Sequence, residues 1–122
     1  MSQIRTYRSK SRSKYGNKKC KIDGFTFDSM KEGRRYAELK ILLREGKISD
    51  LELQKEYELV PAYLDRDGKR VRPIYYIADF VYKDKDGNTI IEDVKSEATK
   101  QNTTYKLKKK LMGAKGLFID EV

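Results

Sequence analysis

The sequence predicts an α/β protein with the element order α-β-β-β-α-β, in which a mixed sheet is flanked by two helices. Two observations support this prediction. Apolar residues recur with helical spacing over residues 29–46 and again from Tyr105 to Met112, whereas the intervening and final segments have the short apolar runs of strands. The chain of 122 residues has the length of one domain with a modest core.

The first predicted helix begins at Ser29, a residue type that favours the N-cap position. Glu32 follows three residues later, at the spacing of a capping box. Apolar residues then recur every three to four positions, namely Tyr36, Leu39, Leu42 and Leu43. Gly46 is expected to end the helix. An extended segment with the turn dipeptide Asp23-Gly24 precedes it.

Three antiparallel strands are predicted next, in the segments LELQKEYELVPAYL, VRPIYYIADFVY and TIIEDVK. Two similar turns join them, DRDGK and DKDGN, and the Asp-Gly pair in each favours hairpin geometry. A second helix follows and is expected to end at Gly113. The residues expected to face the core are Tyr105, Leu107, Leu111 and Met112. LFIDEV forms a last strand, and this strand-helix-strand order predicts a right-handed crossover.

The composition excludes several kinds of catalytic centre. The chain has no His and a single Cys, Cys20, so Ser-His-Asp triads, Cys-His dyads and His-containing zinc sites are impossible. One Cys cannot form a disulfide within the chain, and nothing indicates an oxidising compartment. The most apolar stretch, PIYYIADFVY, is too short to span a membrane and contains Asp79. We expect a cytoplasmic protein that uses neither a membrane nor a nucleotide cofactor.

Positive charge is concentrated near the N-terminus. Residues 1–21 carry eight Lys and Arg side chains and no acid, so they account for +8 of the net charge of +9. We expect this segment to be a flexible basic arm that precedes a folded domain at residues 22–122. Its cations suit contacts with nucleic-acid phosphates. The candidates are Arg5, Arg8, Lys10, Arg12, Lys14, Lys18 and Lys19. A solvated tail with no partner is the alternative.

The segment IIEDVKS, residues 90–96, combines strand-forming residues with charges. Alternation of side chains along a strand places Asp93 and Lys95 on one face and Glu92 on the other. The position of Asp79 relative to this strand depends on the hairpin loop between them. A two-residue loop places Asp79 opposite Val94, whereas a three-residue loop with a bulge places it opposite Asp93.

The second register brings two carboxylates and the Lys95 ammonium together, at the spacing of about 5 Å between cross-strand partners. Two carboxylates at that distance repel each other unless a cation lies between them. Mg²⁺ or Mn²⁺ is the hard ion that suits such oxygen ligands. Lys95 would then polarise an attacking water or stabilise the charge that develops on a phosphate.

The motif PIYYIAD, followed by a hairpin and EDVK, resembles the PD-(D/E)XK nuclease superfamily. The restriction-endonuclease-like core of that superfamily has the same α-β-β-β-α-β order. The resemblance implies that Asp79 is the first acid of the motif, Asp93 the second and Lys95 its lysine. Pro73 lies six residues before Asp79, where the shortest form of the motif has an adjacent proline.

Members of the superfamily often add a Glu from the first helix, and Glu32 is the best match, with Glu38 second. The Val94 carbonyl is a further metal ligand that the resemblance implies. Ordinary structural roles remain open for these residues. Glu32 also suits the capping box, and the charges of IIEDVKS also suit a sheet edge protected against aggregation. Asp79 favours a functional role, because an unpaired acid in an apolar strand is costly.

The second helix carries lysines opposite its apolar face, of which Lys106 and Lys109 are candidate contacts with DNA phosphates. A merely solvated helix face is the alternative. Gln54, in the first predicted strand, is a further polar candidate near the acidic residues.

Residues 22–122 resemble, more closely, small phage-encoded nucleases described as Holliday-junction resolvase-like. This resemblance implies a Mg²⁺-dependent endonuclease that hydrolyses phosphodiester bonds in branched DNA such as Holliday junctions, inside a bacterial host cell. Two paired cuts in one junction imply a homodimer. The alternatives are a non-catalytic nucleic-acid-binding accessory protein with a nuclease-like core, and a nuclease for nicks, flaps or linear duplex ends.

Overall fold

The computed structural model describes residues 4–6 and 19–122. Its elements are β1 (Arg5–Thr6), β2 (Cys20–Ile22), β3 (Phe25–Phe27), α1 (Met30–Arg44), β4 (Ser49–Val60), β5 (Tyr63–Leu64), β6 (Arg70–Val71), β7 (Ile74–Lys83), β8 (Thr89–Asp93), α2 (Glu97–Lys100), α3 (Thr103–Ala114) and β9 (Ile119–Glu121).

Five of these strands form one mixed sheet in the order β1-β4-β7-β8-β9. The strands β4, β7 and β8 are antiparallel neighbours, whereas β1 and β9 lie parallel to β4 and β8, respectively. The elements α1, β4, β7, β8, α3 and β9 follow the predicted α-β-β-β-α-β order. The chain therefore has the predicted α/β fold, to which the short helix α2 and two small hairpins are added.

The first strand comes from the segment that we expected to be a flexible arm. Arg5 and Thr6 pair with Glu52 and Leu53 at the free edge of β4. The other predicted phosphate contacts in that segment, except Lys19, lie outside the described residues. These are Arg8, Lys10, Arg12, Lys14 and Lys18.

The start of α1 follows the prediction. Ser29 has extended backbone angles, and its hydroxyl accepts the Glu32 backbone N–H over 3.1 Å. Just before it, β2 and β3 form a hairpin around Asp23 and Gly24, which have φ angles of 54° and 83°. Two left-handed residues in a two-residue loop are typical of a type I′ turn. Gly46, with a φ of 75°, follows the helix as expected.

The turn DRDGK does not connect the two long strands directly, in contrast to the prediction. β4 ends at Val60, before Pro61, and β7 begins after Pro73. A proline cannot donate a hydrogen bond to a neighbouring strand, so Pro61 and Pro73 limit the ladder between β4 and β7. The turn at residues 65–69 instead closes the separate two-stranded sheet of β5 and β6.

The second predicted helix differs in two details. Leu107 is 55% exposed, because it lies two positions after the buried Tyr105 and thus on the opposite side of a 3.6-residue helix. Gly113 lies inside α3, which continues to Ala114, and Gly116 with a φ of 79° provides the left-handed residue after the helix.

Each face of the sheet packs against one long helix. The buried core beneath α1 contains Phe27, Tyr36, Leu39, Ile48, Leu51, Leu53, Phe80 and Tyr82. The buried core beneath α3 contains Leu59, Tyr76, Ala78, Val81, Ile91, Tyr105, Met112 and Ile119. The described part of the chain contains no helix long and apolar enough to cross a membrane.

The two cores take up different positions of the same strands. In β4, Leu53 belongs to the α1 core and Tyr57 packs against the α3 core, although regular alternation would place both on one face. In β7, Ala78 faces the α3 core and Phe80 the α1 core. Both strands therefore exchange faces at the same rung, between the pairs Leu53 with Phe80 and Lys55 with Ala78.

Candidate active site

The turn between β7 and β8 sets the register of the two acidic strands. The Asp84 backbone N–H donates to the Asn88 carbonyl over 3.0 Å, and Gly87, with a φ of 82°, completes a three-residue loop. The β7–β8 ladder keeps the corresponding register throughout. The next rung beyond the ladder, which we call the acidic rung, holds Asp79 and Asp93, so the second of the two predicted registers is confirmed.

The two acids of β8 lie on opposite faces, as predicted from their alternation. Glu92 faces α1, where Arg35 donates to both of its carboxylate oxygens, over 2.8 Å from Nε and 2.6 Å from Nη2. The Tyr82 hydroxyl donates to the same carboxylate. Asp93 faces the other way, where the Tyr76 hydroxyl donates to its Oδ2 over 2.7 Å.

The rung at which β4 and β7 exchange faces carries two buried polar residues, Gln54 and Asp79. Gln54 has a φ of 59°, a left-handed conformation that costs a residue other than glycine about 1–3 kcal/mol. Its amide Oε1 is buried and accepts no hydrogen bond from the described residues. Asp79 is 1% exposed, and its Oδ2 accepts the Val94 backbone N–H over 2.8 Å.

Glu32 reaches this rung from α1. Its backbone N–H contributes to the Ser29 cap, while its carboxylate is 3% exposed and accepts the Gln54 amide N–H over 3.4 Å. Glu38, the second candidate from the same helix, has a side chain that is 62% exposed and paired with Arg35. Of the two candidate glutamates, Glu32 is the one at the acidic rung.

Lys95 follows β8 and lies against Asp93, with 3.3 Å between Nζ and Oδ2. Its ammonium also lies 4.3 Å from the ring centroid of Tyr105, a favourable cation–π distance. The Tyr105 hydroxyl donates to Glu121 Oε2 over 2.6 Å, and the Lys95 backbone N–H donates to the Val122 carbonyl. Contacts from α3 and the β9 segment thus hold the lysine beside the carboxylate.

Burial fixes the protonation of the tyrosines at this site. It raises the pKa of Tyr76 well above its usual value, and the nearby Asp93 carboxylate raises it further. Burial also raises the pKa of Tyr105, aided by its bond to Glu121. In turn, the Tyr105 hydroxyl and the Lys109 ammonium hold the pKa of Glu121 below its usual value. Both phenols therefore stay protonated, as donors to carboxylates, beyond the pH at which an exposed tyrosine ionises.

The donor chemistry of the rung fits a hard divalent cation. Glu32, Asp79 and Asp93 supply carboxylate oxygens from three elements, and Gln54 adds an amide oxygen. Across residues 4–6 and 19–122, no group of three or more His, Cys, Asp and Glu side chains is arranged as a metal site. The positive charge of the Lys95 ammonium offsets part of the negative charge of the Asp93 carboxylate.

The predicted phosphate contacts within the described chain lie on the surface. Arg5 is exposed and forms an ion pair with β4 at 3.7 Å, and Lys19 is exposed. In α3, Lys106 is exposed, whereas Lys109 lies 3.2 Å from Glu121 and borders the Lys95 environment. Their role in DNA binding therefore stays a prediction.

Three residues that bind the acids of β8 or hold Lys95 were not among the sequence candidates. The sequence pattern predicts Tyr76 only as a strand residue, and Tyr105 only as a core residue of the second helix. Arg35 was not singled out, although its spacing from Glu32 places both on one side of the helix. For Tyr76, the available signal was its position in β7, three residues before the buried acid Asp79.

The fold and the buried acids together define an α/β protein whose mixed sheet carries an acidic rung at its centre. The chain belongs to the family described as "Protein of unknown function (DUF1064)", which matches residues 12–120. The comparisons with curated proteins and with solved structures gave no match.

Proposed function

We propose that the protein is a divalent-metal-dependent DNA endonuclease that hydrolyses phosphodiester bonds. One observation carries the proposal: Glu32, Asp79 and Asp93, each at most 3% exposed, come from three elements to one rung, beside Lys95. Burying three acids is costly for folding, and an arrangement with that cost favours a functional role.

Backbone strain supports the same assignment. Gln54 adopts the left-handed conformation in the middle of a strand, directly opposite Asp79 and in contact with Glu32. Strained residues other than glycine cluster at functional sites, where the surrounding structure holds them in place. The strain and the buried acids occur at the same rung.

Each residue has a distinct task under this proposal. Glu32, Asp79 and Asp93 would hold Mg²⁺ or Mn²⁺, with the Val94 carbonyl as a further oxygen ligand. When bound, the ion supplies Lewis-acid stabilisation of the charge that develops on the phosphate. Lys95, already held by Asp93 and Tyr105, would orient the attacking water or stabilise that charge through Nζ.

Branched DNA is the proposed substrate, and the sequence resemblance to resolvase-like nucleases supports it. Paired cuts across a four-way junction require two active sites related by symmetry, so the proposed working form is a homodimer. The proposed place of action is the cytoplasm of a bacterial host cell. Nicks, flaps and linear duplex ends are the competing substrates.

The test is cleavage of labelled four-way junction, flap, nicked and plain duplex DNA by the full chain, with Mg²⁺ and with EDTA. Asp93→Asn keeps an oxygen for the Tyr76 hydroxyl but removes the carboxylate charge. We expect Asp93→Asn and Lys95→Ala each to lower the single-turnover rate on the order of 10²-fold or more, because each removes several kcal/mol of charge stabilisation.

Two exposed positions provide matched controls. Asp120→Asn changes an exposed acid of β9, and Lys85→Ala changes an exposed lysine at the β7–β8 turn. Both controls should cleave at the wild-type rate. Cleavage by Asp93→Asn at the wild-type rate would exclude this site, and the absence of metal-dependent cleavage from every substrate would exclude the nuclease function.

A second candidate function is non-catalytic nucleic-acid binding, and the charge distribution favours it. Eight cations and no acid in residues 1–21 give a strongly basic segment that suits phosphate contact whether or not the acidic rung is catalytic. This function predicts salt-dependent DNA binding that Asp93→Asn leaves intact, without cleavage in Mg²⁺ or Mn²⁺.

A further inference from the structure

Residues 63–72 form a small hairpin outside the main sheet, which we call the basic hairpin. Its strands β5 and β6 pair only with each other, Tyr63 with Val71 and Leu64 with Arg70. Tyr63 is 54% exposed and Leu64 is 68% exposed. Because adjacent residues of a strand point to opposite faces, the hairpin has solvent on both of its faces.

Four exposed cations lie on this hairpin, namely Arg66, Lys69, Arg70 and Arg72. None of them forms an ion pair with another described residue. The hairpin contains two acids, of which Asp65 is engaged by the turn: its Oδ1 accepts the backbone N–H groups of Asp67 and Lys69, each over 2.9 Å. The exposed surface of the basic hairpin is therefore predominantly cationic.

The turn between β7 and β8 shows that these cations are not needed to form the hairpin loop. Asp84 accepts the backbone N–H groups of Asp86 and Asn88 over 2.9 Å each, in the same pattern as Asp65. Gly68 and Gly87 occupy equivalent left-handed positions, with φ of 79° and 82°. Residues 83–89 carry two lysines and two acids and are neutral, whereas residues 63–72 carry four cations and two acids.

The basic hairpin presents an exposed aromatic ring on one face, an exposed aliphatic side chain on the other and four available cations, a combination that matches nucleic acid. Phosphates attract the cations, and bases that have lost their stacking partners pack on aromatic and apolar side chains. Both components are present on the basic hairpin, whereas the β7–β8 turn offers lysines but no exposed apolar side chain. A base without a stacking partner occurs at a DNA branch point.

We propose that the basic hairpin binds DNA, with its cations at backbone phosphates and with Tyr63 and Leu64 against unstacked bases at a branch point. The preference for a branch point rests on the function proposed above. The hairpin joins the sheet where Val60 pairs with Ile74, five residues along β7 from Asp79, or about 17 Å by the rise of a strand. At 3.4 Å per base pair, this distance corresponds to about five base pairs from the acidic rung.

The test measures DNA binding without cleavage, in EDTA, by fluorescence anisotropy of a labelled four-way junction and a labelled duplex. Arg66→Gln with Lys69→Gln removes two cations from the basic hairpin. Lys83→Gln with Lys85→Gln removes two from the equivalent turn and is the matched control. Each phosphate contact contributes about 0.9 to the slope of log K against log[salt], so the hairpin variant should lose up to about two units of slope and roughly tenfold to a hundredfold in affinity.

Tyr63→Ala separates the apolar contact from the charges. We expect it to weaken junction binding roughly tenfold while leaving duplex binding and the salt slope unchanged, because only the junction offers unstacked bases. Circular dichroism and thermal unfolding of each variant check that the fold is retained. The proposal is wrong if the Arg66 and Lys69 variant binds both DNAs as the control does.

The outcome for the hairpin can be separated from the outcome for the nuclease site. Loss of binding in the hairpin variant, with no cleavage by the wild type, supports the hairpin and excludes the nuclease. Cleavage by the wild type, with wild-type binding by the hairpin variant, supports the nuclease and excludes the hairpin proposal. Co-sedimentation with vesicles of anionic lipid tests a membrane surface instead: if hairpin variants lose vesicle binding but keep DNA binding, the DNA assignment is overturned.

Discussion

Replacing Glu92 by Gln tests whether a buried ion pair holds α1 in position. The Glu92 side chain is 3% exposed and that of its partner Arg35 is 24% exposed. The carboxylate accepts two hydrogen bonds from Arg35, over 2.8 Å and 2.6 Å, and a third from Tyr82. Gln keeps the shape and one acceptor oxygen, but it removes the charge and turns an N–H₂ group toward other donors.

The expected cost follows from these contacts. Removing one member of a buried pair costs about 3–5 kcal/mol, because the remaining charge is left without compensation. Solvent reaches part of the Arg35 side chain and lowers that cost, so we expect Glu92→Gln to reduce the free energy of unfolding by about 2–4 kcal/mol. For a chain of this length the melting temperature should fall by roughly 10 °C.

The measurement is urea unfolding followed by circular dichroism, with Glu38→Gln as the matched control. Glu38 pairs with the same Arg35 at 3.3 Å, but its side chain is 62% exposed. Exposed pairs contribute little, so this control should change the free energy of unfolding by less than about 0.5 kcal/mol. Equal stabilities of Glu92→Gln and Glu38→Gln would refute the claim that the buried pair anchors α1.

Two further predictions concern the buried tyrosines and the start of α1. Burial raises the pKa of four tyrosines above the value of about 10 that a phenol has in the unfolded chain. Below pH 10 the protonated phenols therefore stabilise the fold fully, and this contribution is lost as the pH rises further. They are Tyr36, Tyr76, Tyr82 and Tyr105. Urea unfolding at a series of alkaline pH values should show a loss of up to about 1.4 kcal/mol per pH unit for each phenol above pH 10, and a flat profile there would contradict the assignment. At Gly33, a Cβ would lie 2.6 Å from Cys20 Sγ, so Gly33→Ala should destabilise the fold by about 1–2 kcal/mol despite the better helix propensity of Ala. Cys20→Ala removes the sulfur and should recover at least about 1 kcal/mol of that cost, as measured by urea unfolding; an equal cost in both backgrounds would show that the contact is not responsible.

The sequence carried enough information to predict the order of the main elements. Ser29 and Gly46 mark the ends of α1 because cap positions impose specific backbone requirements. The Asp-Gly turn before β8 restricted the register to two alternatives, and one of them places Asp79 and Asp93 on the same rung. Local chemistry was sufficient to predict the helix ends and to restrict the hairpin register, since each depends on a few adjacent residues.

Other features depend on contacts that a linear pattern does not contain. The turns DRDGK and DKDGN have the same local conformation, so local chemistry could not show that one of them closes a separate hairpin. The left-handed conformation of Gln54 has no characteristic sequence, because tertiary contacts impose it on an ordinary residue. For the same reason, periodicity could not show that β4 and β7 exchange faces.

The exchange of faces at Gln54 and Asp79 has a consequence for how the protein opens. The buried residues form two packing units, one beneath α1 and one beneath α3, and the acidic rung lies where both strands change the face that they turn to each unit. Cooperative units of a protein open with different free energies. Opening of either unit alone would expose the rung, so water and ions could exchange there through partial opening, without global unfolding.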